Sequence, residues 1–211
     1  DVRILNQHVD WAVCHGIGAF NARLETPADI DALHSLLQRA KGLLDTRLFF
    51  LATIAPSAVL GGNSSSSSND FGIDFADSDA EATTTAALQR IADQLFSSVY
   101  WLHIDETPVL MLKAGASTLS SRLLQILKTG LGKAYLVLET DAPPSINDQM
   151  LDVFDAFTST SGIKESQIND WNGIEGLRWI PRILARAPPT TNNEDGYSTT
   201  EEPERWLKSS V

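Results

Sequence analysis

The alternation of amphipathic, helix-like segments with short apolar runs is the feature that most constrains how this chain can fold. Residues 47–54, 109–112 and 134–138 are apolar almost throughout, as strands are when both faces of their sheet are covered. Such strands, alternating with helices, are typical of βα units and a parallel sheet. We therefore predict an α/β fold, with strands at 17–22, 47–54, 109–112, 134–138, 154–158 and 179–184 and helices at 2–15, 26–41, 80–98, 119–129, 146–151 and 201–208.

Two closures of such a sheet fit this pattern: an open, doubly wound sheet or an eight-stranded (β/α) barrel. An open sheet ordinarily carries a glycine-rich turn after its first strand, and the sequence contains neither GxGxxG nor GxxxxGK[ST]. The chain begins and ends with predicted helices, as a barrel does when its first and last strands are absent. We therefore predict a single domain, residues 1–211, folded as a (β/α)8 TIM-type barrel that lacks these two strands in this chain. Other residues of the protein, or a partner chain, are expected to supply them.

A low-complexity stretch interrupts the pattern at residues 61–70, which contain Gly61-Gly62 and the serine run 64–68. Serine-rich segments of this kind do not form a packed core. We expect a mobile loop on the face of the barrel that carries the carboxyl ends of the strands, because it follows the strand at 47–54.

Composition excludes several classes of function. The chain has 16 basic and 27 acidic residues, a net charge of −11 and no basic stripe, which argues against a nucleic-acid or anionic-membrane surface. No apolar run approaches the roughly 20 residues that a membrane-spanning helix needs. The single cysteine, Cys14, excludes an internal disulfide and a multi-cysteine zinc site, and the four histidines lack metal-ligand spacing. We therefore predict no metal, no cofactor, no nucleic-acid partner and no membrane span.

Four segments, in order along the chain, resemble the motifs of one group of enzymes. HVDWAVCHGIGAF at 8–20 resembles W-A-x-x-x-G-I-x-x-F, and YWLHIDETPVL at 100–110 resembles Y-x-x-I-D-G-K-P-V. FDAFTSTSGI at 154–163 resembles F-D-G-I-Y-T-Y-x-x-x-G-F, and WIP at 179–181 stands where that group has F-I-P. The chain thus resembles the (β/α)-barrel glycoside hydrolases of family 99, the endo-α-mannosidase and endo-α-mannanase group, and their family 71 relatives. The resemblance implies a barrel that acts on or binds α-linked glycans.

The departures from these motifs concern the acidic residues of the family's active site. Where the family has H-I-E-P-Y, this chain has TIAPS at 53–57, so that Ala55 stands in place of the glutamate. LKAG at 112–115 replaces Tyr-Asp-Ser-Tyr and places Lys113 where the family has an acidic turn. The glutamate pair of the family's N-E-W-x-E-G motif is expected beyond the end of this sequence, and NDWNGIEG at 169–176 imitates that motif with two extra residues.

Glycoside hydrolysis requires two carboxyl groups across the scissile bond, about 5–10 Å apart. In a barrel these groups lie at the carboxyl ends of the strands or in the loops that follow. Glu139 and Asp141 come directly after the strand at 134–138 and share a face at strand spacing, so they are the candidate catalytic pair. Glu25 and Asp155 take similar places in the predicted pattern and are candidate substrate-binding residues.

Each candidate also has a purely structural interpretation. Asp141 can cap the turn into Pro143-Pro144, and Asp155 can be a hydrogen-bonded structural aspartate. Trp171, the remaining candidate substrate-binding residue, can stack on the apolar face of a sugar or pack against a helix.

Two functions remain open at this stage: a glycoside hydrolase, or a catalytically inactive barrel that serves as a structural, assembly or glycan-binding module. Ala55, in place of the family's glutamate, and the missing glutamate pair of the terminal motif favour the second. If these residues are the whole functional unit, we predict no hydrolysis of α-mannosides or α-glucans at enzymatic rates. NSS at 63–65 has the form of an N-glycosylation acceptor, and we expect an extracellular or secretory-pathway protein.

Overall fold

Helices alternate with parallel strands along the chain. The computed structural model describes residues 2–40, 48–54, 78–114, 119–140, 148–159 and 178–179. The helices are α1 (Val2–Cys14), α2 (Pro27–Ala40), α3 (Ser78–Ile91), α4 (Ser121–Gly130) and α5 (Asp148–Leu151), and a π-helical turn, Ala92–Phe96, continues α3. The strands are β1 (Ala19–Leu24), β2 (Phe49–Ile54), β3 (His103–Ile104), β4 (Thr107–Lys113), β5 (Tyr135–Thr140), β6 (Ala156–Ser159) and β7 (Arg178–Trp179).

The strands form a sheet in the order β1-β2-β4-β5-β6-β7, and every neighbouring pair along this path is parallel. The short β3 pairs antiparallel with the start of β4. The parallel strands follow one another across the sheet in chain order, whereas a doubly wound sheet has a point at which the order reverses. The predicted parallel α/β fold is confirmed, and the sheet is consistent with part of a TIM-type barrel.

The two faces of this sheet have different partners, because successive strand residues point to opposite sides. One side, the helix face, packs on the helices in the main core and buries Leu24, Ile54, Leu110 and Phe157 almost completely. The other side, which we call the inner face, has a smaller cluster of its own. That cluster is built on Val109, Val137 and Ala156, against which Leu51, Leu102, Ile104, Met111 and Tyr135 pack.

The start of α2 is fixed by Thr26, which precedes the helix in the N-cap position, and by Pro27, its first residue. The Asp29 carboxylate accepts the backbone N–H groups of Thr26 and Glu25, at 2.7 and 2.9 Å. These hydrogen bonds, that of Thr26 first, lower the pKa of Asp29 below its ordinary value of 3.8. The carboxylate therefore satisfies backbone donors that an uncapped helix start leaves without partners.

The hairpin that joins β3 to β4 is anchored at the amino end of the sheet. Trp101 is fully buried, and its indole N–H donates to the carbonyl of Val109 at 3.0 Å. Backbone hydrogen bonds of 2.7 Å also tie Phe50 of β2 to Tyr100 and Leu102. The turn itself, Asp105 and Glu106, adopts positive φ angles of 49° and 62°.

Three strands extend further at their carboxyl ends than the apolar runs predict. β1 ends at residue 24 rather than 22, β4 at 113 rather than 112, and β5 at 140 rather than 138. The reason is that strand pairing continues through polar residues on the inner face. A prediction based on apolar runs assigns these residues to loops. At the other end, β6 begins at Ala156 rather than at 154.

Other predicted segments, at 61–70, 180–184 and 201–208, lie outside the described residues. None of the described helices has the length and the apolar character that crossing a membrane requires.

Candidate functional site

The inner face changes from apolar to polar towards the carboxyl ends of its strands. Adjacent strands place Arg23 beside Thr53, and Lys113 beside Glu139, which in turn lies beside Thr158. Because parallel strands end together at one edge, these side chains share the carboxyl end of the sheet, where the active sites of (β/α) barrels lie. We call this set the polar layer; its members are Asn21, Arg23, Thr53, Lys113, Glu139 and Thr158.

Glu139 is the most buried charged group of the polar layer. Its side chain is 1% exposed, and its Oε1 lies 3.7 Å from Nη2 of Arg23, whose side chain is 51% exposed. A carboxylate that is removed from water needs a counter-charge or hydrogen bonds to offset its desolvation. Arg23 supplies that charge while its guanidinium remains half open to solvent, so the arginine is the accessible member of the pair.

The contact between Arg23 and Glu139 also reports the shape of the sheet. The residues belong to β1 and β5, which are separated by β2 and β4. Three strand spacings of about 4.8 Å place these strands about 14 Å apart across a flat sheet, on which side chains stand nearly parallel. Their side-chain tips approach each other because the sheet curls round its inner face. The inner face is therefore concave, as it is in a barrel.

A second contact crosses the sheet in the same direction. The side-chain amide nitrogen of Asn21 lies 2.8 Å from the hydroxyl of Thr53 and 3.5 Å from the sulfur of Met111, two strands away. The Thr53 hydroxyl in turn donates to the Asn21 carbonyl oxygen at 3.1 Å. Asn21 remains exposed while Thr53 is buried, so the amide is held in place and still accessible to a ligand.

The opposite end of the inner face is closed. Leu102 and Ile104, which flank the start of the β3–β4 hairpin, pack with Tyr135 against the small inner cluster. Apolar side chains therefore fill the amino end and leave the polar layer as the part of the inner face suited to a polar ligand.

The structure places the predicted site residues at different parts of the sheet. Glu139 lies within β5, on the inner face, and Glu25 follows β1 at the same end and is exposed. Asp155 instead precedes β6 at the amino end, where its carboxylate accepts the Leu136 N–H at 2.9 Å. Since Thr158 is the residue of β6 beside Glu139, Asp155 lies about 10 Å from it along the strand direction.

Two predicted residues, Asp141 and Trp171, lie outside the described residues. The pairing of Asp141 with Glu139, and the sugar-stacking role of Trp171, stay predictions. The same holds for the substrate-binding roles of Glu25 and Asp155.

The described strands of the inner face carry one carboxylate, Glu139, and a second, Glu25, follows the end of β1. Hydrolysis by the usual route needs two carboxyl groups across the scissile bond. The polar layer otherwise offers amide, hydroxyl and cationic groups, which recognise sugar hydroxyls and anions.

Sequence reasoning missed Asn21, Arg23 and Thr53 as members of this site. Their signal is the alternation along β1 and β2, where every second residue is polar near the strand end while its neighbours are apolar. That alternation identifies one exposed face, but it does not show that β1 approaches β5.

Metal ligands are not gathered here. In the described ranges no three His, Cys, Asp or Glu side chains come close enough together to hold a metal ion.

Comparison with known proteins shows a likeness in structure alone. No protein-family model matches the sequence, and no curated protein matches it. A GH99 endo-α-mannosidase from Bacteroides thetaiotaomicron is similar with a TM-score of 0.54 and 13% identity, over 86% of this chain and 56% of that one. A second structure of that enzyme has a TM-score of 0.54 and 12% identity, over 86% of this chain and 53% of the enzyme.

A structure described as a glycoside hydrolase-like protein is similar with a TM-score of 0.57 and 12% identity, over 87% of this chain and 63% of that one. This chain thus spans between about half and two thirds of the length of these proteins. At this level of identity the likeness establishes a shared glycoside-hydrolase-like fold.

Proposed function

We propose that this protein is a glycoside-hydrolase-like module that binds α-linked glycans at the polar layer. The observation that carries the proposal is Glu139, a carboxylate buried on the concave inner face at the carboxyl end of β5 and paired with Arg23. Burying a charge costs stability, so a charged pair at the ligand-binding end of such a fold favours a functional role. The fold shared with an endo-α-mannosidase supports an α-linked glycan as the ligand.

Binding is preferred over hydrolysis for two reasons. Hydrolysis needs an acid for the leaving oxygen and a carboxylate for the developing positive charge, and among the described strand residues of the inner face Glu139 is the one carboxylate. That side chain is also covered, whereas Asn21 and Arg23 are open to a ligand. Glu139 in this arrangement holds Arg23 in position, and the exposed groups contact the glycan.

Hydrolysis is the second candidate, and the position of Glu139 is what favours it. The residue lies at the end of a barrel-type sheet where catalytic carboxylates are found. Asp141, two residues further on, or Glu25, at the carboxyl end of β1, would then supply the second carboxyl group.

The test combines a binding assay with an activity assay on the purified chain. Titration calorimetry with α-linked manno-oligosaccharides is expected to show binding that Glu139→Gln weakens about tenfold, because Arg23 loses the charge that holds it in position for the glycan. Glu106→Gln is the matched control, since it makes the same chemical change in the exposed turn at the amino end. Absence of binding, or equal loss in both variants, would overturn the proposal.

The activity assay follows the release of reducing ends from the same oligosaccharides. We expect no turnover above background. Robust turnover that Glu139→Gln abolishes would replace the binding function by hydrolysis and make Glu139 a catalytic residue.

An extracellular or secretory location, and completion of the barrel by another chain, belong to this proposal as well. The N-glycosylation acceptor sequence at 63–65 supports the extracellular or secretory location.

A further inference from the structure

We propose that the polar layer takes glycans that carry an anionic group, a carboxylate or a sulfate ester, and that Arg23 and Lys113 recognise this group. This inference rests on the proposed glycan binding and narrows it to acidic sugars. The accessible charged side chains of the polar layer, Arg23 and Lys113, are both cationic.

Of the three charged side chains of the polar layer, the acidic one is covered. Glu139 is 1% exposed, whereas Arg23 is half exposed and Lys113 is partly exposed. Lys113 of β4 pairs in register with Glu139 of β5, and Arg23 of β1 contacts Glu139 from the same side of β5. The two cations are therefore the charged groups of the polar layer that a ligand can reach.

Contacts with the described residues leave both cations available to a ligand. Arg23 offers a single 3.7 Å contact to Glu139, too long for a bidentate pair, and half of its side chain is exposed. Lys113 is partly exposed and has no ion pair with another described residue. A planar guanidinium with free N–H groups is well matched to a carboxylate or a sulfate, and a nearby ammonium adds a second charge.

The neutral members of the polar layer complete the recognition of a sugar acid. Asn21 and Thr158 provide amide and hydroxyl groups on either side of the charged residues, suited to ring hydroxyls. The nearest acidic residue along β1 is Glu25, which is exposed just beyond the strand end.

The net charge of −11 opposes an anionic ligand at long range. That opposition is screened over about 10 Å at 0.1 M salt, whereas the contacts of Arg23 and Lys113 act within hydrogen-bond distance. We therefore expect the local contacts to outweigh the screened repulsion at 0.1 M salt.

The experiment uses ligands that differ in charge and share one skeleton. Calorimetry with α-1,4-linked trigalacturonate is compared with its methyl ester, which keeps every ring and linkage but removes the charges. Sulfated maltotriose and neutral maltotriose form the second pair and distinguish a sulfate from a carboxylate as the preferred group. We expect at least about tenfold tighter binding of one or both anionic ligands than of their neutral partners.

Variants identify the residues responsible. Arg23→Gln and Lys113→Gln are each expected to reduce the preference for the anionic ligand about tenfold. Arg23→Lys is expected to restore part of it, since the charge is kept and the planar fork is lost. Lys133→Gln, an exposed residue between α4 and the amino end of β5, removes the same charge away from the site and is expected to change nothing.

Equal affinity for the charged and neutral ligands, or an unchanged preference in Arg23→Gln and Lys113→Gln, would overturn this inference and leave glycan binding intact. Binding of none of these ligands, nor of α-linked manno-oligosaccharides, would overturn the proposed function and this inference together. Thermal unfolding of each variant checks that it is folded.

Discussion

Glu106 is held in a backbone conformation that L residues rarely adopt. It occupies the second position of the two-residue turn between β3 and β4, with φ at 62°, after Asp105 at 49°. Positive φ angles at both central positions are those of a type I′ hairpin turn, which glycine suits best at the second position. The motif that residues 100–110 resemble has glycine there. A side chain at this position stores strain of about 1–2 kcal/mol.

Glu106→Gly is therefore expected to stabilise the protein. Relief of the strain outweighs the extra flexibility of glycine in the unfolded chain, for a net gain of about 0.5–1 kcal/mol. In a chain of this size, thermal unfolding is expected to shift upward by about 1–4 °C. Glu106→Ala is the control, because it removes the charge and keeps the Cβ atom that causes the strain. A lower melting temperature for the glycine variant, or an equal gain in the alanine variant, would contradict this account.

The packing of α3 on α4 depends on the absence of a side chain at Gly130. A Cβ atom there would lie 3.2 Å from both Cβ and Cδ1 of Leu88. Leu88 is fully buried and Gly130 is the last residue of α4, so the close approach occurs inside the core. Arg122 and Glu81 join the same two helices by an ion pair at the surface. Such exposed pairs contribute little, and the glycine contact sets the distance between the helices.

Gly130→Ala is expected to destabilise the protein even though alanine favours helix. The added methyl group has no room unless Leu88 leaves its rotamer. This change costs about 1–3 kcal/mol. The gain in helix propensity offsets up to about 1 kcal/mol of this. Urea unfolding is expected to show that Gly130→Ala lowers the free energy of unfolding by about 1 kcal/mol. Thr129→Ala, on the exposed side of the same turn, is expected to change it by less than about 0.5 kcal/mol. Stabilisation by Gly130→Ala would show that α3 and α4 can move apart freely.

Element boundaries also show how far the sequence determines this structure. The apolar stretch Tyr135 to Leu138 is enough to predict β5, and the pair Thr26-Pro27 is enough to predict the start of α2. The last residues of β1, β4 and β5 are missed, because hydrogen bonding to neighbouring strands, and not apolar character, keeps them in the sheet. Those missed residues include much of the candidate site. A rule based on apolar runs misses strand residues that pair within the sheet but carry polar side chains on one face.

At the scale of the whole molecule, the concave sheet is bounded by an edge. Within the described ranges no strand pairs with the outer side of β1. The contact that reveals the concavity, between Arg23 and Glu139, joins residues far apart in sequence and separated by two strands. Neither residue type nor spacing predicts that contact, because it arises from the twist and curl of the assembled sheet. The backbone N–H and C=O groups on the outer side of β1 can pair with a further strand.

The 211-residue chain on its own is expected to self-associate through this edge. An uncovered strand edge favours pairing with another chain, while the net charge of −11 opposes it, so association is expected to increase with salt. Sedimentation velocity at several concentrations, at low and high salt, measures it. Asn21→Lys places a charge on the inward side of the edge strand and is expected to reduce association, whereas Gln7→Lys on exposed α1 is not. A monomer under all these conditions would contradict the expectation that other residues or a partner complete the barrel.

The alternation of side chains across the sheet has a consequence for how this protein changes over evolutionary time. Neighbouring positions of the same strands point to opposite faces of the sheet. Substitutions on the concave face therefore leave the contacts with the helices in place. A lineage can exchange its ligand, or lose catalysis altogether, by substitutions on the concave side while the hydrophobic contacts with the helices persist. The concave side carries residues 21, 23, 53, 113, 139 and 158, and the side packed on the helices carries residues 24, 54, 110, 112, 138 and 157.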